Sequence, residues 1–286
     1  MKTIGITANC DKPNAAAVLD RLAAKARALG LQLVVCDATA RRLRSAEKVS
    51  RRDFPERIEA LMVLGGDGTM LQAVRLVEGR DVAVLGVNLG SLGFMTTVTD
   101  PELEHALECL AAGRFTTSRR TMAEAVLWRG GRKRGSYRAL NDVVIGWGET
   151  SRVAALSLRL NGQDIATYVC DGVILSTPTG STGHSLSAGG PILLPESPVF
   201  VLNPICPHSL SNRPMVVPDD STVEMQVARS SKELLFVVDG QDHCRMAEGD
   251  KVVIRKSAIG VQFIHLPGYN YFSLLSQKLH WRGSSL

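Results

Sequence analysis

The chain has 286 residues, enough for one large domain or two of ordinary size. Hydrophobic residues make up 45% and charged residues 21%, which excludes an intrinsically disordered chain. The formal net charge of +5 gathers in Arg41–Arg57, Arg119–Arg120 and Arg129–Arg138, but aromatics are only 5% and no recognition motif accompanies these runs, so no nucleic-acid partner is expected.

A modest positive field is compatible with a small anionic substrate such as a nucleotide. No apolar run approaches the roughly 20 residues that span a bilayer, and the N-terminus MKTIGITANCDKPNAAAV has no apolar signal core, so no membrane partner is expected. Cysteines 10, 36, 109, 170, 206 and 244 are scattered without a C-x-x-C pair. That pattern predicts reduced thiols in a cytoplasmic protein.

The first hundred residues alternate strand and helix. Residues 3–8 form a short apolar strand, 14–29 an Ala/Leu-rich helix stopped by Gly30, and 31–36 a second strand. A polar, Arg-rich excursion fills 37–57. A third strand at 60–64 runs into Gly65-Gly66-Asp67-Gly68-Thr69, and a helix follows. A strand at 82–87, a Gly-rich turn and a helix opened by Pro101 complete the pattern. This rhythm predicts a parallel, doubly wound α/β sheet.

Beyond about residue 117 the period changes to alternation. Strands are predicted at 121–129, 137–146, 153–160, 164–176, 199–203, 222–228, 234–239, 251–255 and 259–265, with hairpin signals at Gly130-Gly131 and Asn161-Gly162. Only a short helix after residue 182 interrupts them. The expected organisation is an N-terminal α/β domain over 1–116 and an all-β, layered antiparallel domain over 117–268. A C-terminal helix in 269–286 returns to the first domain.

The GGDGT turn at 65–69 carries the strongest chemical signal. Gly65, Gly66 and Gly68 can present bare backbone N–H groups to phosphate oxygens, and the helix that follows adds a dipole favourable to anions. Asp67 sits inside this turn. A carboxylate repels phosphate, so its use there is chemical: holding Mg²⁺ or accepting a hydroxyl proton. The turn is no Walker A loop, which needs G-x-x-x-x-G-K-[ST]. A second signal, Ser176 to Pro191 (STPTGSTGHSLSAGGP), is dense in hydroxyls and glycines straight after a strand and suits a polar pocket wall. Asn141-Asp142 and Asp239-Gly240-Gln241 break the alternation of apolar strands, which is most economical where a ligand takes their hydrogen bonds.

At these residues the chain resembles the NAD kinase family. GGDGT, Asn141-Asp142, STPTGST…SLSAGGP, N-x-I-x-PHSLSNRP at 203–214, DGQ at 239–241 and KLHW at 278–281 stand in that family's order across essentially the whole chain. The resemblance implies phosphorylation of the adenosine-ribose 2′-hydroxyl of NAD to give NADP. ATP or polyphosphate is the donor, Mg²⁺ is carried on the donor phosphates without a dedicated protein cage, and the assembly is a homodimer or homotetramer. It implies an α/β domain joined to a β domain with the active site between them.

Residue by residue, the resemblance makes Asp67 the proton acceptor and puts Asp67 and Gly68 at the reacting ribose, while Gly65, Gly66, Gly68 and Thr69 form the phosphate turn. Asn141 and Asp142 hold the substrate. Asp171, Thr179 and the stretch Thr182, Gly183, His184, Ser185, Leu186 and Ser187 grip the dinucleotide. Phe94, Arg152 and Gln241 fall at ligand-facing positions. Two departures stand out: the family usually has Ala-Tyr at Gly183-His184 and Glu at Asp142. Rival readings are weaker. A lipid or sugar kinase shares the GGDG turn but leaves STPTGST and PHSLSNRP unexplained. A dehydrogenase would use Gly86, Gly90 and Gly93, whose spacing is not G-x-G-x-x-G. A non-catalytic NAD(P) sensor does not account for the intact Asp67.

Overall fold

A computed structural model of the chain describes residues 1–36, 38–147, 154–230 and 233–281. It forms two units, Met1–Arg119 with Val261–Leu286, and Arg120–Gly260. Among the described residues no helix is long and apolar enough to cross a membrane.

In the first unit the strands run, from one edge, Glu47–Lys48, Gln32–Val35, Thr3–Ala8, Ala60–Gly65, Ala83–Asn88, Val261–His265 and Thr116–Arg120, with Val98–Thr99 also on Ala83–Asn88. From Glu47–Lys48 to Val261–His265 each neighbouring pair is parallel. The central strand Ala60–Gly65 is buried at every position, as a strand covered on both faces must be. Helix Ala15–Ala28 turns Val18, Leu19, Leu22 and Ala26 onto one face and meets helix Leu103–Ala112. Arg21 joins the two surfaces, reaching Asp100 at 2.5 Å and Glu104 at 2.8 Å. Successive strands move outward in opposite directions from Thr3–Ala8 and Ala60–Gly65. Their junction is the topological switch of a doubly wound sheet, and the turns after these two strands open at the carboxyl edge, where such sheets bind ligands.

The strand predicted at 259–265 lies in this sheet and not in the second half. Val261–His265 pairs parallel with Ala83–Asn88, Gln262 opposite Ala83. Four of its five residues are buried, the pattern of a strand covered on both faces. The chain then enters helix Tyr271–Leu279, which stays in the first unit and is capped by Asn270, whose side chain accepts the N–H groups of Phe272 and Ser273.

The second unit is a sandwich of two six-stranded sheets whose strands pair antiparallel. One face of each sheet fills a common core, with Val143, Ile145, Val173, Phe236 and Val238 from one and Ala125, Leu156, Met225 and Ile254 from the other. The predicted hairpins form with paired left-handed residues, Gly130-Gly131 at φ +55° and +73° and Asn161-Gly162 at +50° and +80°.

Two predicted strands each prove to be two. Residues 137–146 divide into the end of Arg132–Ala139 and Asp142–Trp147, and 164–176 divides into Gln163–Cys170 and Gly172–Ser176. At Leu140-Asn141 and again at Asp171 the chain leaves one sheet and enters the other. The corners therefore carry Asn141, Asp142 and Asp171. The short strands Met215–Pro218 and Asp242–Met246 escape the alternation pattern. One is an edge strand ended by Pro, the other is largely polar.

Candidate active site

In the first unit, strand Ala60–Gly65 ends in the GGDGT turn and helix Asp67–Val74 begins inside it. The Thr69 hydroxyl accepts the Gly66 N–H at 3.4 Å, so this oxygen closes the turn on itself. Gly68 is exposed, and a Cβ there would meet nothing within 4 Å. Asp67 is half-buried. Its Oδ2 accepts the Phe94 N–H at 2.8 Å and its Oδ1 the Met95 N–H at 3.0 Å. Each oxygen keeps lone-pair capacity for one further donor. The carboxylate lies so close over Gly93 that a Cβ at that position would stand 2.6 Å from Asp67 Cγ. Asn88 braces the same turn: its Nδ2 donates to the Ser91 carbonyl at 2.6 Å and to Thr96 Oγ1 at 2.9 Å, while its Oδ1 accepts the Gly90 N–H.

In the second unit a cleft of about 520 Å³ opens on the face of strand Asp142–Trp147 that points away from the core. Val144, Gly146, Leu235 and Val237 give it an apolar floor. Asn141, Asp142, Asp171, His184, Asp239 and Gly240 supply its polar groups, and Ile205 completes the wall. Asp239 organises this region. It sits at φ +53°, and its carboxylate accepts the N–H groups of Leu140, Asn141 and Asp142 at 2.9, 2.7 and 3.1 Å. Burial, helped by the negative charge of Asp239, pushes the Asp142 carboxyl up to about 7. The exposed Cys206 thiol is raised as well, by its hydrogen bond to the Asp171 carboxylate.

The Ser/Thr/Gly run packs on this corner. Thr177 donates its N–H to the Asn141 carbonyl at 2.8 Å, and a Cβ on Gly180 would stand 2.7 Å from Asn141 Cα. Asn203 secures the short helix His184–Ser187 by donating to the carbonyls of Ser185 at 2.9 Å and Ala188 at 3.3 Å. Three buried oxygens at this corner, Asn141 Oδ1, Thr179 Oγ1 and Ser185 Oγ, have no hydrogen-bond partner among the described residues.

Both halves of the chain match known domains. Residues 4–115 match the ATP-NAD kinase N-terminal domain, and residues 140–266 match the ATP-NAD kinase C-terminal domain. The chain belongs to the NAD kinase family. The NAD kinase of Syntrophotalea carbinolica is 40% identical over 282 residues, covering 98% of this chain and 99% of that one. The NAD kinase of Citrifermentans bemidjiense is 41% identical over 285 residues with the same coverage. Among solved structures, yeast NADH kinase complexed with NADH superposes with a TM-score of 0.91 at 24% identity, over 100% of this chain and 89% of that one. An NAD kinase from Archaeoglobus fulgidus in complex with ATP gives 0.76 at 22% identity, over 99% and 100%. At these identities the likeness is one of fold.

For this member of the NAD kinase family, the structure gathers Asn141, Asp142, Asp171 and His184 on one cleft, and Asp67, Gly68, Thr69 and Phe94 around one turn. Thr179, Thr182, Gly183, Ser185, Leu186 and Ser187 follow on the loop that carries His184, outside the cleft wall. Ser185 is fully buried beneath Gly190. Gln241 is half-buried beyond Gly240, and Arg152 lies outside the described residues. Sequence reasoning missed the bracing roles of Asp239 and Asn203. The DGQ break was the only signal for the first, and the second opens the N-x-I-x-PHSLSNRP stretch at 203–214 without any sign there of what it holds.

Proposed function

We propose that the chain transfers the terminal phosphoryl group of ATP to the adenosine-ribose 2′-hydroxyl of NAD, giving NADP and ADP, with Asp67 as proton acceptor. The observation that carries this reading is Asp67 itself. It is a half-buried carboxylate, fixed by two backbone amides, beside a glycine turn at the carboxyl edge of the sheet, in a chain that matches NAD kinase domains in both halves.

A ribose hydroxyl is a poor nucleophile at pH 7. Phosphoryl transfer through a loose transition state asks mainly for alignment, charge neutralisation and a base that takes the proton late. As the O2′–P bond forms and the bond to the leaving diphosphate breaks, the hydroxyl proton passes to a free lone pair of Asp67. The open space over Gly68 lets phosphate oxygens approach the turn's N–H groups and the positive end of helix Asp67–Val74. Among the described residues no three His, Cys, Asp or Glu side chains cluster as a resident metal would need. Mg²⁺ carried on the donor phosphates would supply charge neutralisation there.

In the second unit the dinucleotide is held by Asn141, Asp142, Asp171 and His184 above an apolar floor suited to a planar ring. The Asn141 side-chain oxygen, on the cleft wall and without a partner among the described residues, supports this reading, because a ligand's donor completes a buried polar group of this kind. Asp142, protonated in part near pH 7, donates as well as accepts. The same reading has polyphosphate as the alternative donor, a homodimer or homotetramer as the assembly, and the cytoplasm as the compartment. The last is supported by six cysteines outside any disulfide.

The test is a donor-by-acceptor matrix on the purified protein, with NAD, NADH, a diacylglycerol and a sugar phosphate against Mg-ATP and polyphosphate. NADP formation from NAD is expected. Phosphorylation of the lipid or sugar with no product from NAD would overturn the reading.

A further inference from the structure

The C-terminal helix Tyr271–Leu279 turns Leu274 and Leu275 into the first unit, and both are buried. Lys278 follows them by four and three residues, so it rises from the same helical face and its stem is directed inward. Its Nζ donates to the backbone carbonyl of Leu92 and stands 5.5 Å from the centroid of the Phe94 ring. Leu92 and Phe94 flank Gly93, the residue over which the Asp67 carboxylate lies.

We propose that Lys278 is a positioning residue for Asp67, its ammonium clamping the Leu92–Phe94 turn whose amides hold the carboxylate. The inference rests on the reading of Asp67 as proton acceptor. The turn has anchors at its flanks: Asn88 binds the Ser91 carbonyl, and Thr96 Oγ1 accepts from Asn88 and from the Gly93 N–H at 3.2 Å. Its apex is the Leu92 carbonyl, and Lys278 grips it there. One and two peptide units further on, the Phe94 and Met95 amides reach Asp67 at 2.8 and 3.0 Å. A helix about 180 residues away in sequence thus fixes the backbone donors on which the angle of the base depends. Phosphoryl transfer is sensitive to such angles, because a displacement near 1 Å costs on the order of a hundredfold in rate.

The experiment compares Lys278→Met, Lys278→Arg and Asp67→Asn in the full chain. Lys278→Met is expected to lower kcat at least about tenfold and to change KM for NAD by much less, because the cleft contacts of Asn141, Asp142, Asp171 and His184 are left intact. Lys278→Arg keeps a cation over Phe94 and a donor for Leu92, and should recover most of the loss. In the Asp67→Asn background the Lys278→Met change should add little, since its effect runs through the carboxylate. Hydrogen exchange supplies a readout independent of activity: the Phe94 and Met95 amides should lose protection in Lys278→Met. Lys278→Gln takes its place if the Met variant does not fold. Wild-type kcat and unchanged protection in the Lys278 variant overturn the proposal. Wild-type kcat in Asp67→Asn overturns the reading of the base instead.

Discussion

Asp142 and Asp239 are joined through their backbones and opposed through their carboxylates. Asp239 donates its N–H to the Asp142 carbonyl at 3.0 Å, and its Oδ1 accepts the Asp142 N–H at 3.1 Å. Asp239 satisfies its charge on three amides, whereas Asp142 is buried facing that charge and holds its proton up to about 7. In the unfolded chain an aspartic carboxyl releases its proton near pH 4. Between pH 4 and 7 the folded state therefore binds more protons, and the stability due to this group is complete below pH 4 and lost as pH rises through 7. Asp142→Asn removes the titration. Its unfolding free energy relative to the parent is expected to rise by on the order of 4 kcal/mol between pH 4 and pH 8. Urea unfolding at both pH values measures this, and a flat difference would show that Asp142 ionises in the ordinary range.

Asp67→Asn is nearly isosteric and keeps one oxygen for the Phe94 or Met95 amide, so the turn should survive. The amide cannot accept the ribose proton. A loss of about 10²–10⁴-fold in kcat is expected with NAD still bound, as for removal of a general base. Single-turnover kinetics together with NAD titration check both halves of the statement. Turnover near that of the parent would remove Asp67 from the chemistry.

Two glycines of the same region separate packing from ligand approach. At Gly93 a methyl group would collide with the Asp67 carboxylate, so Gly93→Ala should displace the base and lower kcat. At Gly68 a methyl group meets nothing, and within a helix Ala exceeds Gly by about 1 kcal/mol. Gly68→Ala should thus melt at the parent temperature or above it, yet lose at least about tenfold in kcat/KM because phosphate or ribose can no longer close on the turn. Undiminished kcat/KM in Gly68→Ala would mean that no ligand reaches this space.

How legible these features were in the sequence depended on how local their causes are. The GGDGT turn and the hairpins at 130–131 and 161–162 are set by residues within a few positions, and the expected turns form there. The buried parallel strand Ala60–Gly65 shows as an unbroken apolar run. The corners at Asn141 and Asp171 were hidden, because the polar break at Asn141-Asp142 reads equally as a ligand contact inside one strand, and in ATYVCDGVIL apolar residues on both sides of Asp171-Gly172 read as one run. Part of what turns the first of them is the Asp239 carboxylate, 97 residues from Asp142 in sequence, bonded to backbone amides that carry no identity. For the same reason KLHW could be matched to a family while the reach of Lys278 to the Leu92 carbonyl stayed out of view.

His184 stands where the resemblance leads one to expect Tyr, and the structure gives it a place. The imidazole is exposed on the cleft wall, on a four-residue helix that Asn203 holds by two carbonyls. The support beneath it is therefore fixed while the ring itself is free to meet a ligand above the apolar floor. A ring in that position contributes stacking area and one hydrogen bond, and both act on the bound dinucleotide away from the phosphoryl being transferred. Binding of that kind is equal in ground and transition states, so its loss should appear in KM and leave kcat alone. His184→Ala is expected to raise KM for NAD by about 5- to 30-fold, corresponding to about 1–2 kcal/mol. His184→Tyr adds aromatic area and keeps a polar tip, and it should hold or lower KM. Steady-state kinetics on the two variants decide the matter. An unchanged KM in His184→Ala means that the ring meets only solvent, and a collapse of kcat at constant KM would give His184 a part in the chemistry itself.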